Sequence, residues 1–347
     1  MKKVICRVIE SVPKDWSVWG KVIDRDKYKN FDKSRFPDPI EFCDKILTKN
    51  LTENSQKIEI LERIGSESAE GEVYRIKYGD MEFALKLMPR MYKDSENKNF
   101  KEIEIANLAS QYPDYFPMTF AYGFCPNSSY YIGKSKISAF IAKTVEYNTI
   151  SNILQSITSK IVRKRFEADY RNGMTINELK KKYLIDNVPN ENSIQVDFLI
   201  SELANGDLGN WCKVKQDIQY WRKILIDVIF GIYYLTVMIG KVHPDLHLGN
   251  ILILKGENDI RALIHDFGRC YAVDKKIPVT YKATLLSFCT KFLSCAKTRS
   301  DLFIPREIIL TVQGIYDTIQ HITIAAENIK EIYEQTLYPF LQIESTK

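Results

Sequence analysis

"KVHPDLHLGNILILKGENDIRALIHDFGR" occupies residues 241–269. His243, Asp245 and Asn250 stand close together on a segment too irregular for a plain helix. Asp266 then closes the next strand-like run. Whether that second carboxylate belongs with the first group decides how the whole chain is read.

Upstream, "QDIQYWRKILIDVIFGIYYLTVMIG" (216–240) has apolar residues at 218, 221, 225, 228, 232, 235 and 239, a helical spacing. Its uncharged run, 228–240, falls short of the ~20 residues needed to cross a bilayer. With Lys223 and Asp227 just ahead of it, the segment reads as a buried helix. The chain has 347 residues, enough for one large core or two lobes. Its net charge of +5 permits acidic partners such as nucleotides without demanding nucleic acid. Seven cysteines are scattered without a CxxC pair, so neither a zinc site nor a disulfide framework is expected. Reduced thiols and an intracellular, cytoplasmic location follow as expectations. No secretory signal is visible at the N-terminus.

Residues 1–56 read as an extension packed on the downstream domain. From 57 the texture turns strand-rich. "KIEILERIG" (57–65), "GEVYRIKYG" (71–79) and "MEFALKLMP" (81–89) read as three strands, with a hairpin corner at Tyr78-Gly79-Asp80. Residues 95–112 read as a helix with Ser95 as N-cap, and 116–125 and 194–203 as two further strands. Between those strands, 160–185 looks like two amphipathic helices around Gly173. Residues 203–347 read as mostly helical, with helices over 280–297 and 306–341.

In this frame the sequence resembles the protein-kinase-like superfamily over roughly 57–275. The motifs stand in the family's order. A glycine-bearing turn (Gly65 to Gly71, then Val73) precedes Ala84-Leu85-Lys86 and a glutamate in the following helix. His243-x-Asp245-Leu246-x-x-x-Asn250 and Asp266-Phe267-Gly268 come next. The resemblance implies an α+β, bilobal kinase-like fold: residues 57–202 form a small antiparallel sheet lobe with a helical insert (126–193), and 203–347 a mainly helical lobe. It implies transfer of the ATP γ-phosphoryl group to a hydroxyl. Asp245 would be the base, Asn250 and Asp266 the Mg²⁺ ligands, and His243 a brace. Lys86 would contact the phosphates, held by a carboxylate. Glu102 and Glu104 compete for that task, and ~200° of helix rotation separates them. Glu104 is preferred because Leu108 follows one turn later. Gly65, Gly71, Val73 and Ala84 would lie at the nucleotide. In "FLISELANGDLGNW" (198–211), Glu202 and Ala204 would meet adenine through their backbones, Ser201 would lie at the back, and Asp207 would reach the ribose.

The departures bear on substrate. Glu67 stands where a second glycine is expected. Pro244 replaces the usual Arg, which removes the anchor for a phosphorylated activation segment. His247, grouped with the catalytic residues, stands where protein kinases usually carry the Lys that neutralises the transferring phosphate. The preferred acceptor is protein serine/threonine. A small-molecule kinase of the aminoglycoside or choline type and an inactive nucleotide-binding scaffold stay open. The Ile/Lys/Asn-rich texture fits divergent members from large DNA viruses or intracellular bacteria. Residues 160–186 carry eight Lys/Arg against four Asp/Glu and faintly resemble a helix-turn-helix, a route to nucleic acid. A solvated helical hairpin is preferred, with Met174, Ile176, Leu179 and Tyr183 as its small core.

Overall fold

The computed structural model describes residues 22–47, 58–68, 71–89, 98–125, 150, 153–154, 157–185, 196–257, 259–273, 277–322 and 334. Ser95, residues 126–149 of the insert, Ala69 and Glu70 of the glycine turn, and residues 323–333 and 335–341 of the tail expected to be helical lie outside them. In chain order the elements are α1 (Arg25–Lys29), α2 (Pro39–Leu47), β1 (Ile58–Ser68), β2 (Gly71–Tyr78), β3 (Met81–Pro89), α3 (Lys98–Ala109) and β4 (Thr119–Cys125). They continue with α4 (Lys160–Arg171), α5 (Ile176–Lys182), β5 (Val196–Glu202), β6 (Gly206–Asp207), α6 (Ile218–Tyr233), β7 (Lys241–Val242), β8 (Ile251–Lys255), β9 (Ile260–Ile264), β10 (Tyr271–Ala272), α7 (Ile277–Thr298) and α8 (Arg306–His321). The fold is mixed α+β.

The chain forms two compact units. One comprises residues 33–97 and 121–200, the other 1–32, 98–120 and 201–347. The boundary at 200/201 falls beside the expected one at 202/203. Helix α3, expected with the strand-rich part, groups instead with the helical part, because its inner face packs on the turn at Phe267–Arg269. The N-terminal extension divides between the two units at residue 32.

The first unit is built on a five-stranded sheet in the order β1-β2-β3-β5-β4. Strands β1/β2 and β2/β3 pair antiparallel, with Val73 opposite Lys86 and Ile76 opposite Phe83. The period-2 rule sends Tyr74, Ile76 and Tyr78 of β2 and Phe83, Leu85 and Leu87 of β3 into the core. Phe36, ahead of α2, stacks on Tyr78 at 4.8 Å and meets Phe83 edge-on at 5.1 Å. Phe42 of α2 stacks on Phe198 of β5 at 4.4 Å. The neighbouring Cys43 is bonded to Cys125 of β4, with Cα atoms 5.4 Å apart. Cys295 is disulfide-bonded as well, whereas Cys212, Cys270 and Cys289 are free. These bonds correct the expectation of reduced thiols throughout. A pair separated by 82 residues leaves no spacing signal; only the approach of two Cα atoms reveals it.

The insert behaves as a hairpin with its own core. Ile150, Ile153, Phe166 and Leu179 are buried together, and Met174, Ile176 and Tyr183 pack against them. Ser159 caps α4, and Thr175 and Glu178 cap α5 reciprocally. Gly173 turns the chain between them at φ +90°.

In the second unit, α6 is the central rod. Trp221, Ile224, Leu225, Val228, Ile229 and Ile232 line its buried face. Helix α7 presents Tyr281, Leu285, Phe288 and Phe292 at helical spacing. Residues 203–347 were expected to be mostly helical, yet β6, β8 and β9 form a three-stranded sheet there. The runs "ILILK" and "IRALI" are short, apolar and rich in β-branched residues, which suits a strand packed on a helix. Among the described residues, no helix is long and apolar enough to cross a membrane.

Candidate active site

The β8–β9 hairpin sets the geometry. Its antiparallel register pairs Ile251 with Ile264. The residue before the one strand and the residues after the other therefore share an end: Asn250 on one side, His265 and Asp266 on the other. The His265 N–H donates to the Asn250 carbonyl at 3.1 Å. Asp266 takes a left-handed backbone, φ 64° and ψ 65°, which swings the chain into the turn Phe267–Arg269. Upstream, α6 widens into a π-helical turn over Tyr234–Met238, and Gly240 breaks away at φ +70°. The loop 243–250 is held between these two.

Its side chains brace the backbone of the loop and of the adjoining turn. The amide nitrogen of Asn250 donates to the Asp245 carbonyl at 2.9 Å, so the amide oxygen is the end turned away from that bond. His243 is buried, and its Nε2 lies 3.0 Å from the His265 carbonyl oxygen. A carbonyl only accepts, so Nε2 carries the proton. Burial pushes the His243 pKa down, against the pull of that bond and of Asp266 and Asp245. His265 Nε2 returns the favour at the Gly249 carbonyl, 3.1 Å away. Phe267 is buried against His243 and Phe116. His247 accepts the Gly249 N–H on Nδ1 at 3.1 Å and so caps the short turn Leu248–Asn250.

Asp245 is flanked by cations that no sequence pattern would place there. Arg269 Nη1 lies 3.2 Å from its Oδ2, and Lys291 Nζ lies 3.4 Å from its Oδ1. Lys291, on α7, also donates to the Pro244 carbonyl at 2.7 Å.

On α3 the inward carboxylate is Glu102, at 5% exposure; Glu104 is exposed. This reverses the preference for Glu104. A Cβ added at Gly268 would sit 3.0 Å from Glu102 Oε2, so Glu102 lies against the turn that follows Asp266. Leu108, expected as a packing residue one turn after Glu104, is exposed. Ile105, Ala106 and Ala109 mark the true inner face, and Glu102 stands one turn before Ala106.

The segment expected at the adenine is braced from the N-terminus. Arg25 of α1 grips Glu202 through Nε to Oε2 at 2.9 Å and Nη2 to Oε1 at 2.6 Å. The Met118 N–H also donates to Oε1, and the Glu202 N–H donates to the Met118 carbonyl. Burial pushes the Glu202 carboxyl up; Arg25 and the Met118 N–H pull it back. Its side chain is thus structural. Ala204 follows in the loop before β6. Asp207, expected at the ribose, gives both oxygens to its own turn. Oδ1 accepts the Asn210 N–H at 2.9 Å, and Oδ2 the Asn210 side-chain amide at 2.6 Å. An aspartate at a helix N-cap does this by default.

Gly65, Gly71, Val73, Ala84 and Lys86 all lie on β1–β3 of the other unit. Lys86 is half-buried, opposite Val73. Gly71 has φ +146°, and a Cβ there would come within 2.3 Å of the Leu87 carbonyl oxygen. The close approach of β2 to β3 is by itself a reason for glycine at this position.

Among the described residues no group of three or more His, Cys, Asp or Glu is placed to hold a metal ion; a carboxylate and an amide oxygen are nonetheless the ligand types Mg²⁺ takes alongside phosphate oxygens. Comparison with protein-family models gives no match, and comparison with curated proteins gives none either.

Proposed function

We propose that this chain is an ATP-dependent phosphotransferase of the protein-kinase-like superfamily, bilobal in architecture, acting on a serine or threonine hydroxyl of a protein. The observation that carries this reading is the shared end of the β8–β9 hairpin. There the Asn250 carbonyl accepts the N–H of His265, the residue before Asp266, and the Asn250 side-chain amide donates to the Asp245 backbone carbonyl. Three motif residues, read from two separate stretches of sequence, occupy one braced loop system.

In this reading Asn250 and Asp266 would hold Mg²⁺, which when bound would neutralise charge on the phosphates. Asp245 accepts the proton of the acceptor hydroxyl and orients it. The backbone around Glu202 and Ala204 meets adenine. Lys86 contacts the phosphates; its place on the third strand after the glycine turn supports that role. His243 and His265 contact no substrate; they hold the two stretches together. A small-molecule acceptor is the rival supported by His247 at the lysine position.

The test is transfer of label from γ-labelled ATP, with Mg²⁺, to a panel of protein, aminoglycoside, choline and lipid acceptors. Wild type should label protein, and Asp266→Ala and Asp245→Asn should each lose at least about 100-fold in rate. Label only on a small molecule would replace the acceptor class. No transfer by wild type, with no rise in melting temperature on adding Mg²⁺ and ATP, would end the phosphotransferase reading.

A further inference from the structure

We propose that Lys291 of α7 supplies the cation that meets the transferring phosphoryl group in this chain. The inference rests on the phosphotransferase reading and adds a residue to it. Protein kinases usually carry a lysine two positions after the loop aspartate; here that position is His247. Its ring is tied into its own turn, with Nδ1 occupied by the Gly249 N–H. The charge it would have supplied has to come from elsewhere.

Lys291 comes from a helix 46 residues beyond Asp245. Its ammonium lies 2.7 Å from the Pro244 carbonyl and 3.4 Å from Asp245 Oδ1. An ammonium carries three N–H donors. Among the described residues these two bonds account for two of them, and the third is left for an anionic oxygen. The Pro244 carbonyl is a fixed anchor: it keeps Nζ in place whether Asp245 is charged or has taken a proton. Arg269 holds the other carboxylate oxygen, Oδ2, at 3.2 Å. Asp245 is therefore oriented from one side by Arg269, and Lys291 stands at the oxygen on the other. The Lys291 side chain is 20% exposed, against 43% for Arg269, so Lys291 is the more desolvated of the two cations. A charge acts more strongly where water is excluded.

In the step itself the acceptor hydroxyl oxygen forms a bond to the γ-phosphorus. The bond from that phosphorus to the bridging oxygen breaks, and its electron pair leaves with ADP. The hydroxyl proton passes to the Asp245 carboxylate. Lys291 donates to a non-bridging oxygen of the group in flight, then releases it as product.

The experiment uses the full chain with γ-labelled ATP, Mg²⁺ and casein, reading both autophosphorylation and casein labelling. Lys291→Met should lower the transfer rate about 100-fold while the rise in melting temperature with Mg²⁺ and ADP is kept. Lys291→Arg should return to within about tenfold of wild type, and added methylamine should partly restore Lys291→Gly, which a purely structural role would not allow. If Lys291→Met melts early, the arginine variant and the methylamine rescue decide. Transfer by Lys291→Met within about threefold of wild type, while Asp266→Ala is inactive, overturns this inference and leaves the phosphotransferase reading standing. An inactive wild type that shows no stabilisation by Mg²⁺ and ATP overturns both.

Discussion

The ring of His243 is 1% exposed and gives its one N–H to the His265 carbonyl. Its pKa is pushed below the usual 6.5 because burial disfavours the imidazolium. Asp266 and Asp245 oppose that shift, and Lys291 adds to it. Below pH ~6.5 the unfolded chain therefore binds a proton that the folded chain refuses, and stability falls as the pH falls. The loss is fully absent above the unfolded value and grows downward toward the depressed folded one. His243→Gln keeps an N–H donor and removes the titration. Denaturant unfolding of this variant between pH 7 and 5 should show a slope shallower than wild type by up to about 1.4 kcal/mol per pH unit. Parallel slopes for the two proteins would show that His243 is not the group that titrates. At this scale the motif residues could be picked out of the sequence by their type and order. Their braces, His265, Arg269 and Lys291, could not; nothing in the spacing of a lysine on a late helix marks its neighbour.

Helix α6 and strand β9 are joined by a group that, in the sequence, stands merely at the edge of an apolar run. Asp227 is 2% exposed; its Oδ2 accepts the Ala262 N–H at 3.1 Å, and its Oδ1 lies 2.5 Å from Lys223 Nζ. Burial pushes its carboxyl up, and Lys223 with the Ala262 N–H holds it down. Four residues along, Gly231 lets β9 come close: an added Cβ would sit 2.8 Å from Ile264 Cδ1. The hairpin that brings Asn250 and Asp266 together is thus seated on the rod by one buried carboxylate and one missing side chain. Asp227→Ala leaves the Ala262 N–H and a partly buried ammonium without their partner. It should destabilise the protein by about 3 kcal/mol in denaturant melts; a change near zero would mean that the hairpin is seated by apolar contact alone. Most elements were readable from periodicity. Strand β9 was legible as the strand-like run ahead of Asp266, whereas β8 was not read as a strand, since a five-residue apolar run suits a buried strand or a helix turn equally. The phase of α3 was misread because Leu108, expected to pack inward, is exposed, while Ile105, Ala106 and Ala109 carry the buried stripe.

On the scale of the whole molecule, residues 33–47 are part of the sheet-bearing unit, and 22–32 are strapped onto the other through Arg25 and Glu202. The bond from Cys43 to Cys125 fastens α2 to β4 across 82 residues. Closing a loop of that length removes freedom from the unfolded chain, an effect of about 4 kcal/mol in the chain-entropy account. Cys43→Ser should lower the unfolding free energy by about 2–4 kcal/mol. Mass spectrometry of the unreduced wild type should show the two cysteines in one cross-linked peptide. Free thiols at both positions would remove the staple.

Local pattern alone determined the alternation of strands, the hairpin at Gly79, the amphipathic insert and the order of the loop motifs. Each of these depends on neighbours within a few residues, where side-chain period and turn chemistry act directly. Tertiary structure alone decided which cysteines bond, which glutamate of α3 turns inward and which distant cations surround Asp245. Those outcomes depend on distances between segments far apart along the chain, and no local period encodes them.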